Sequence, residues 1–177
     1  MTRPIAVVDT GPIVLLLENV PGDAERIRRR MANEQNLLEF AKRARLVVPT
    51  PVIAELGRDG SGLAVVRDSF VRRLARVRTE PLTLEAADIA SQMRQHMLSI
   101  RSRGEERGAV TYDALIAAIA HAIGARWLLT TNRSHMQTCL IAVQSTVAVV
   151  ETTELPRGTQ LPLGHVSLIS STEPMEP

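Results

Sequence analysis

The chain has 177 residues, of which 45% are hydrophobic and 23% charged, and its formal net charge is +2. These values exclude a disordered chain and predict a globular protein with a sizeable core. No apolar run approaches the roughly 20 residues that cross a bilayer, and the N-terminus lacks the pattern of a signal peptide. The single cysteine, Cys139, excludes an internal disulfide and is expected to be a small buried residue, so we expect a cytoplasmic protein without membrane contact.

Arginine supplies nearly all of the basic residues, because Lys42 is the one lysine among 21 lysines and arginines. The planar guanidinium group suits phosphate, so this bias weakly supports a nucleic-acid partner. The run RIRRR at 26–30 predicts mainly a solvated helix face, with phosphate contact as the alternative. Aromatic residues make up only 2% of the chain, which argues against a platform that binds single strands by base stacking.

The first half of the chain alternates short apolar strands with helices. Strands are predicted at 5–8 and 46–48, and helices at 13–17, 24–44 and 52–56. The second of these helices is either continuous or divided near Asn33.

The second half continues this alternation. Helices are predicted at 63–78, 84–103 and 111–123, and a short helix or a turn at 133–140. A connector is predicted at 79–83, a polar loop at 102–108, and strands at 127–129, 147–150 and, at an edge, 166–169. Thr111 is the expected N-cap of the helix at 111–123, and Gly124 is its expected C′ residue.

This alternation predicts the α/β class, as a three-layer α/β/α sandwich around a parallel central sheet of short strands. We assign one domain to residues 1–151. A C-terminal extension at 152–177 is rich in Pro, Ser, Thr and Gly and is expected to be partly irregular. In such a sheet, ligands bind outside the carboxyl ends of the strands.

Polar side chains are predicted to meet at that edge of the sheet. Asp9 and Thr10 directly follow the first strand, Glu55 lies in the helix after the second strand, and Asn132 ends a later strand. Asp113, near the start of the helix before that strand, can join them. Carboxylates that are held together repel one another, and a divalent cation relieves the repulsion. Oxygen donors without a Cys/His set favour Mg²⁺ or Mn²⁺, and such a site suits phosphodiester hydrolysis.

Each acid also has an ordinary structural explanation. Asp9 can cap the helix that begins beside it, Glu55 can be a helix-start or surface carboxylate, and Asp113 can interact with a helix dipole. Their predicted convergence with Asn132 at one end of one sheet favours a metal site over these explanations.

Three stretches resemble the PIN domain and, within it, the VapC-type toxins of bacterial toxin–antitoxin pairs. They are AVVDTGPIVLLLE at 6–18, VVPTPVIAEL at 47–56 and YDALIAAIAHAIGARWLLTTN at 112–132. The resemblance covers residues 4–150 and implies a Mg²⁺- or Mn²⁺-dependent ribonuclease that is frequently a homodimer.

The same resemblance implies roles for particular residues. Asp9, Glu55 and Asp113 match the acidic metal ligands, and Thr10 would support the first acid or a water molecule. Asn132 occupies a position that holds a fourth acid in many members; its carbonyl oxygen can coordinate or orient, but it adds no charge and cannot act as a base. Three carboxylates favour one tightly bound ion, with a second arriving only with substrate.

Two residues near Asn132 complete the predicted surroundings of the site. His135 stands where some members carry another acid, and we expect it at the surface. Arg133 is the arginine nearest in sequence to the acids, and it is expected to help hold an RNA backbone.

Two functions follow as hypotheses. The first is an endoribonuclease, the toxin of a type II pair with a cognate antitoxin and an RNA substrate, in which Thr10 and Asn132 act beside the three acids. The alternative is a catalytically weak or inactive PIN-like domain that binds RNA or a protein. For a homodimer, the apolar helices within 63–103 could supply the interface, although a role in the core is the favoured reading.

Other phosphate chemistries lack the residues that they need. Gly11 stands where a phosphatase with an aspartyl nucleophile would have its second acid. No Gly-x-Gly-x-x-Gly motif follows the first strand, and a P-loop lysine is absent.

Overall fold

The computed structural model describes residues 3–17, 23–57, 77–100 and 107–153. Within these residues, five strands form one parallel sheet in the order β3-β2-β1-β4-β5. The strands are β1 Ile5–Val8, β2 Arg45–Pro49, β3 Val77–Glu80, β4 Trp127–Thr130 and β5 Ala148–Glu151. The described helices are α1 Thr10–Leu17, α2 Ala24–Arg43, α3 Thr50–Leu56, α4 Leu84–Ile100, α5 Arg107–Ala122 and α6 Arg133–Ile141. The predicted α/β fold with a parallel sheet of short strands is confirmed.

The centre of the sheet is apolar and buried on both faces. Val7 of β1 pairs in register with Val47 of β2 and with Leu128 of β4. All three side chains are buried, as expected for a parallel sheet covered by helices. Cys139 is also fully buried in this core, which confirms the prediction made for it.

Helix α2 is continuous, so a division near Asn33 is ruled out. Asn33 is fully buried, and its side-chain amide donates a hydrogen bond to the backbone oxygen of Pro12 in α1 at 2.8 Å. One turn further along, the amide of Asn36 donates to the backbone oxygen of Thr152 at 2.9 Å. These two asparagines therefore dock the helix through their side-chain amide groups rather than interrupt it, although the buried Oδ1 atom of Asn33 has no hydrogen-bond partner among the described residues.

Strand β3 is the main element that the sequence pattern misassigned. Its four residues, VRTE, were divided between the end of a helix at 78 and a connector at 79–83. Two of them are exposed, and the segment becomes a strand by pairing with β2 from Leu46↔Val77 to Pro49↔Glu80. A short polar edge strand has no apolar run to reveal it, because its partner strand determines its conformation.

The boundaries of helix α5 differ at one end from the prediction. The helix begins at Arg107, so Thr111 lies inside it and is not its N-cap, and its hydroxyl group instead accepts a hydrogen bond from Arg94 at 3.2 Å. At the other end Gly124 has a φ of +62°, as a C′ glycine requires. The N–H of Gly124 donates to the oxygen of His121, and the N–H of Ala125 donates to that of Ala120, which completes a Schellman motif.

Some predicted elements lie wholly or largely outside the described residues. They are the helix at 63–78 up to residue 76, the loop at 102–106, the edge strand at 166–169 and the extension from residue 154 onward. In the described part of the chain, no helix combines the length and apolarity needed to span a membrane.

Candidate active site

The order of the strands determines where a ligand site can form. Strands β2 and β3 lie on one side of β1, and strands β4 and β5 lie on the other side. The direction in which strands are added therefore reverses between β1 and β4. A crevice opens outside the carboxyl ends of strands at such a point. There the structure has a cleft of about 400 Å³, which we call the acidic cleft. It is lined by Asp9, Thr10, Gly11, Val14, Leu15, Arg26, Arg29, Glu55, Asp113, Thr131 and Asn132. All five residues predicted for the site are among them.

Asp9 lies at the base of the acidic cleft and is almost completely buried. Its carboxylate accepts hydrogen bonds from the hydroxyl group of Thr130 and from the backbone N–H of Thr10, both at 2.7 Å. Burial nevertheless raises the pKa of Asp9 to about 7, because the charged form loses its hydration. The hydrogen bond from Thr130 lowers this pKa, the charge of Asp113 raises it, the hydrogen bond from Thr10 lowers it, and the charge of Glu55 raises it. The negative charges of the cleft therefore act on one another.

Thr10 connects two acids that come from different parts of the chain. It is the first residue of α1, where its backbone N–H faces Asp9. Its hydroxyl group donates a hydrogen bond to the carboxylate of Glu55, which α3 brings to the same cleft. Thr10 thus holds the carboxylates of Asp9 and Glu55 in fixed relation.

Asp113 reaches the cleft from α5 and has a histidine as a neighbour. The Nδ1 atom of His135, in α6, lies 3.1 Å from Oδ2 of Asp113. The two side chains are 29% and 18% exposed, respectively, so His135 is partly exposed and also contacts an acid of the cleft. Its contact with an acid could not be read from sequence, because 22 residues separate the pair.

Thr130 ends β4, and Asn132 lies just beyond it, directly before α6. Asn132 is exposed, its backbone N–H donates to the hydroxyl oxygen of Thr130 at 2.9 Å, and its side-chain oxygen accepts from Ser134 at 3.3 Å. Thr130 was not predicted as a site residue, although it is fully buried and donates to Asp9. The sequence did contain a signal for this role. Thr130 is a hydroxyl residue at the end of an apolar strand, and Asp9 follows the end of the neighbouring strand.

Gly11 allows α1 to approach the end of β4. A Cβ atom added there would lie 2.0 Å from the hydroxyl oxygen of Thr131 and 3.2 Å from its Cβ atom. The glycine in the D-T-G-P segment therefore has a packing role at the rim of the acidic cleft.

The arginines of the acidic cleft come from α2. Arg26 and Arg29 line it, whereas Arg133, expected to hold the RNA backbone, is absent from its lining and exposed at the start of α6. Residues 26–29 of the basic run are exposed, as expected for a solvated face, and two of its arginines also border the cleft.

The donor chemistry of the acidic cleft fits a hard divalent cation, since three carboxylates and an amide oxygen line it. As placed, however, Glu55 and Asp113 each make a hydrogen bond of their own, to Thr10 and His135. Among the described residues, no group of three His, Cys, Asp or Glu side chains is arranged to hold a metal ion. The oxygen donors are thus present in one cleft without being gathered around one point.

Comparison with solved structures gives the same fold. A chain of VapBC-1 from nontypeable Haemophilus influenzae matches with a TM-score of 0.57 and 20% identity, over 85% of this chain and 99% of that one. A chain of VapBC2 from Rickettsia felis, bound to a DNA fragment from its promoter, matches with a TM-score of 0.55 and 17% identity, over 82% of this chain and 97% of that one. A chain of FitAcB from Neisseria gonorrhoeae matches with a TM-score of 0.52 and 20% identity, over 85% of this chain and 99% of that one.

Comparisons based on sequence give no further relatives. No family model and no curated protein matches the chain. The three sequence stretches indicated a resemblance to VapC-type toxins, and the structural matches agree with that resemblance at the level of the fold.

Proposed function

We propose that this chain is a Mg²⁺- or Mn²⁺-dependent endoribonuclease of the PIN type and the toxin of a toxin–antitoxin pair. The observation that carries the proposal is the acidic cleft, in which Asp9, Glu55 and Asp113 come together from three separate segments of the chain. The fold shared with chains of VapBC structures and the three sequence stretches support it.

The proposed roles follow from the contacts of each side chain. Asp9, Glu55 and Asp113 would hold the ion, which, when bound, polarises a phosphoryl oxygen and lowers the pKa of an attacking water molecule. Thr10 keeps the carboxylates of Asp9 and Glu55 at their separation through its two hydrogen bonds. Asn132, exposed at the rim, can orient water or phosphate but cannot accept a proton.

The test is cleavage of total RNA with Mg²⁺ or with a chelator, by the wild type and by Asp113→Ala. We expect the chelator to stop cleavage and Asp113→Ala to lose at least about a hundredfold in rate, because several kcal/mol of charge stabilisation are removed. Asp88→Ala is the matched control, since Asp88 is an exposed carboxylate on α4 that contacts Gln92. Cleavage by Asp113→Ala at the wild-type rate contradicts the proposal.

The alternative of a binding module without turnover is favoured by two observations. In the described residues no three acids are arranged around one point, and Asn132 replaces an acid. Calorimetry with Mn²⁺ distinguishes the two functions. Binding that Asp113→Ala abolishes supports the enzyme, whereas RNA binding without any Mn²⁺ binding at millimolar concentration supports the module.

The remaining partners are part of the same proposal. A toxin should be encoded beside a short reading frame for its antitoxin, and the product of that frame should co-purify with this chain and suppress its cleavage of RNA. A homodimer, measured by light scattering, and a cytoplasmic location also remain predictions.

A further inference from the structure

We infer that Arg26 and Arg29 form a subsite that grips the phosphate backbone of single-stranded RNA along the α2 side of the acidic cleft. This inference rests on the proposed function and identifies the residues that bind its substrate. Both arginines line the same cleft as Asp9, Glu55 and Asp113. They are three residues apart, so they share one face of α2.

The docking of α2 directs that face toward the cleft. Asn33 follows Arg26 by seven residues and Arg29 by four, and side chains at these spacings share a face of a helix. Asn33 is fully buried against α1 through its hydrogen bond to Pro12. Since α1 begins at the acidic cleft, the anchored Asn33 holds the arginines beside the acids.

Helix energetics do not explain the two arginines. Arg26 lies in the first turn of α2, where the helix dipole disfavours a positive charge, and like charges three residues apart repel each other. The neighbouring Arg28 forms an ion pair with Glu25 at 3.3 Å. Among the described residues, neither Arg26 nor Arg29 forms an ion pair, so both guanidinium groups remain available to an anion.

The charge distribution favours a phosphate strand as that anion. Asp23 already caps α2 by accepting from the N–H groups of Glu25 and Arg26, so the side chains rather than the helix end would hold the ligand. A phosphate that approaches three carboxylates is repelled, and guanidinium groups beside its path offset the repulsion. Their forked donors also match phosphate oxygens.

The test compares two double variants in an Asp113→Asn background, which by the proposed mechanism binds RNA without cutting it. The cleft variant is Arg26→Ala with Arg29→Ala. Its matched control is Arg28→Ala with Lys42→Ala, which removes the same charge from exposed, ion-paired positions on the same helix. Fluorescence anisotropy with a short single-stranded RNA is measured over a series of salt concentrations.

We expect the cleft variant to bind about tenfold more weakly, as for the loss of one or more charge-assisted hydrogen bonds. Its plot of log affinity against log salt should be shallower by about 1.4, because each phosphate contact on a single strand contributes about 0.7. The control variant should keep most of the original slope. An unchanged slope in the cleft variant, or equal losses in both variants, overturns the inference, as does the absence of RNA binding in the Asp113→Asn background.

A structural role for the arginines is tested by thermal unfolding. The cleft variant should melt close to the temperature of its parent, because the relieved repulsion at the positive end of the helix offsets the lost attraction to the cleft carboxylates. A melting temperature far below that of the parent overturns the inference. The failure of this inference is distinct from the failure of the nuclease proposal. If the cleft variant binds RNA more weakly but the wild type does not cleave RNA, only the nuclease proposal fails. If the wild type cleaves RNA but the cleft variant binds it as tightly as its parent, only the subsite fails.

Discussion

The two ends of helix α2 lie near opposite ends of the central strands and use arginine in different ways. At its C-terminal end, Phe40 and Trp127 pack edge to face, with ring centroids 5.4 Å apart. The guanidinium of Arg43 lies 4.2 Å from the centroid of Phe40, and that of Arg126 lies 4.7 Å from the centroid of Trp127. We call these four residues the arginine–aromatic stack. Each of its arginines forms a cation–π contact with an aromatic ring, and Arg43 also interacts favourably with the negative end of the helix dipole.

At the N-terminal end, Arg26 and Arg29 face three carboxylates without pairing with them among the described residues. Charge in the arginine–aromatic stack therefore has a stabilising role, whereas the carboxylates of the acidic cleft repel one another, as expected for a ligand-binding site. The predictions below separate stability from function at the two ends.

The largest effect is expected for Phe40→Ala. Phe40 is buried at 4% exposure, and its removal should lower the free energy of unfolding by about 3–5 kcal/mol. Urea titration measures this loss, with Phe40→Leu as a milder variant that retains most of the volume. Cleavage per folded molecule should stay near the wild-type value, because the stack lies away from the acidic cleft. If folded Phe40→Ala cleaved RNA more slowly than the wild type, the stack would affect activity as well as stability, and the contrast between the two ends of α2 would be wrong.

The next effect is the pH dependence that Asp9 gives to the metal-free protein. Its pKa is raised from 3.8 to about 7 in the folded state, so the folded protein binds a proton that the unfolded chain releases. The contribution of Asp9 to stability should therefore be fully present below about pH 4, and this contribution, on the order of a few kcal/mol, should be lost as pH rises through about 7. Urea titrations with a chelator, compared between wild type and Asp9→Asn, measure the difference. Parallel pH profiles for the two proteins would show that Asp9 has no such role.

A smaller effect is expected for Gly11→Ala at the rim of the cleft. The new methyl group would meet the hydroxyl oxygen of Thr131, and such overpacking should cost about 1–3 kcal/mol. Combining the change with Thr131→Ala removes that oxygen and should recover much of the loss in a double-mutant cycle. Purely additive losses would mean that the close approach is not the cause.

The smallest effect distinguishes the arginines themselves. Arg43→Ala should destabilise the protein by about 0.5–1 kcal/mol, the usual value of an exposed cation–π contact. Arg26→Ala should be neutral or slightly stabilising, because its charge opposes the helix dipole. Chemical denaturation of both variants in one buffer tests the contrast, which is lost if they destabilise the protein equally.

The sequence predicted the acidic cleft well where local pattern decides position. Two short apolar strands, each followed at once by a helix, could be recognised from the sequence. Asp9 and Thr10 come directly after the first strand, and Glu55 lies in the helix after the second. A parallel sheet brings residues in such positions to the carboxyl ends of its strands. Asp113 could be placed there because its helix leads into β4, whose end precedes Asn132 by two residues. The C-terminal boundary of α5 was equally local, since Gly124 adopts the positive φ that its position requires.

Contacts between distant segments could not be predicted in the same way. β3 is defined by its pairing with β2, and His135 contacts Asp113 only because α5 and α6 pack together. Arg133 was favoured because it is near Asn132 in sequence, but the docking of α2 through Asn33 brings Arg26 and Arg29 to the cleft instead. Such choices depend on tertiary packing, which hydrophobic periodicity does not report.

The hydrogen bond from Asn36 to the backbone oxygen of Thr152 has a practical consequence for shortening the protein. Thr152 is fully buried and its N–H donates to Thr130, so the chain just past β5 supports both α2 and the strand that carries the cleft residues. A version cut after residue 151 would lose the hydrogen bond between Asn36 and Thr152, at a cost of about 0.5–1.5 kcal/mol. A minimal version intended for crystallisation should therefore retain residues up to at least Thr153.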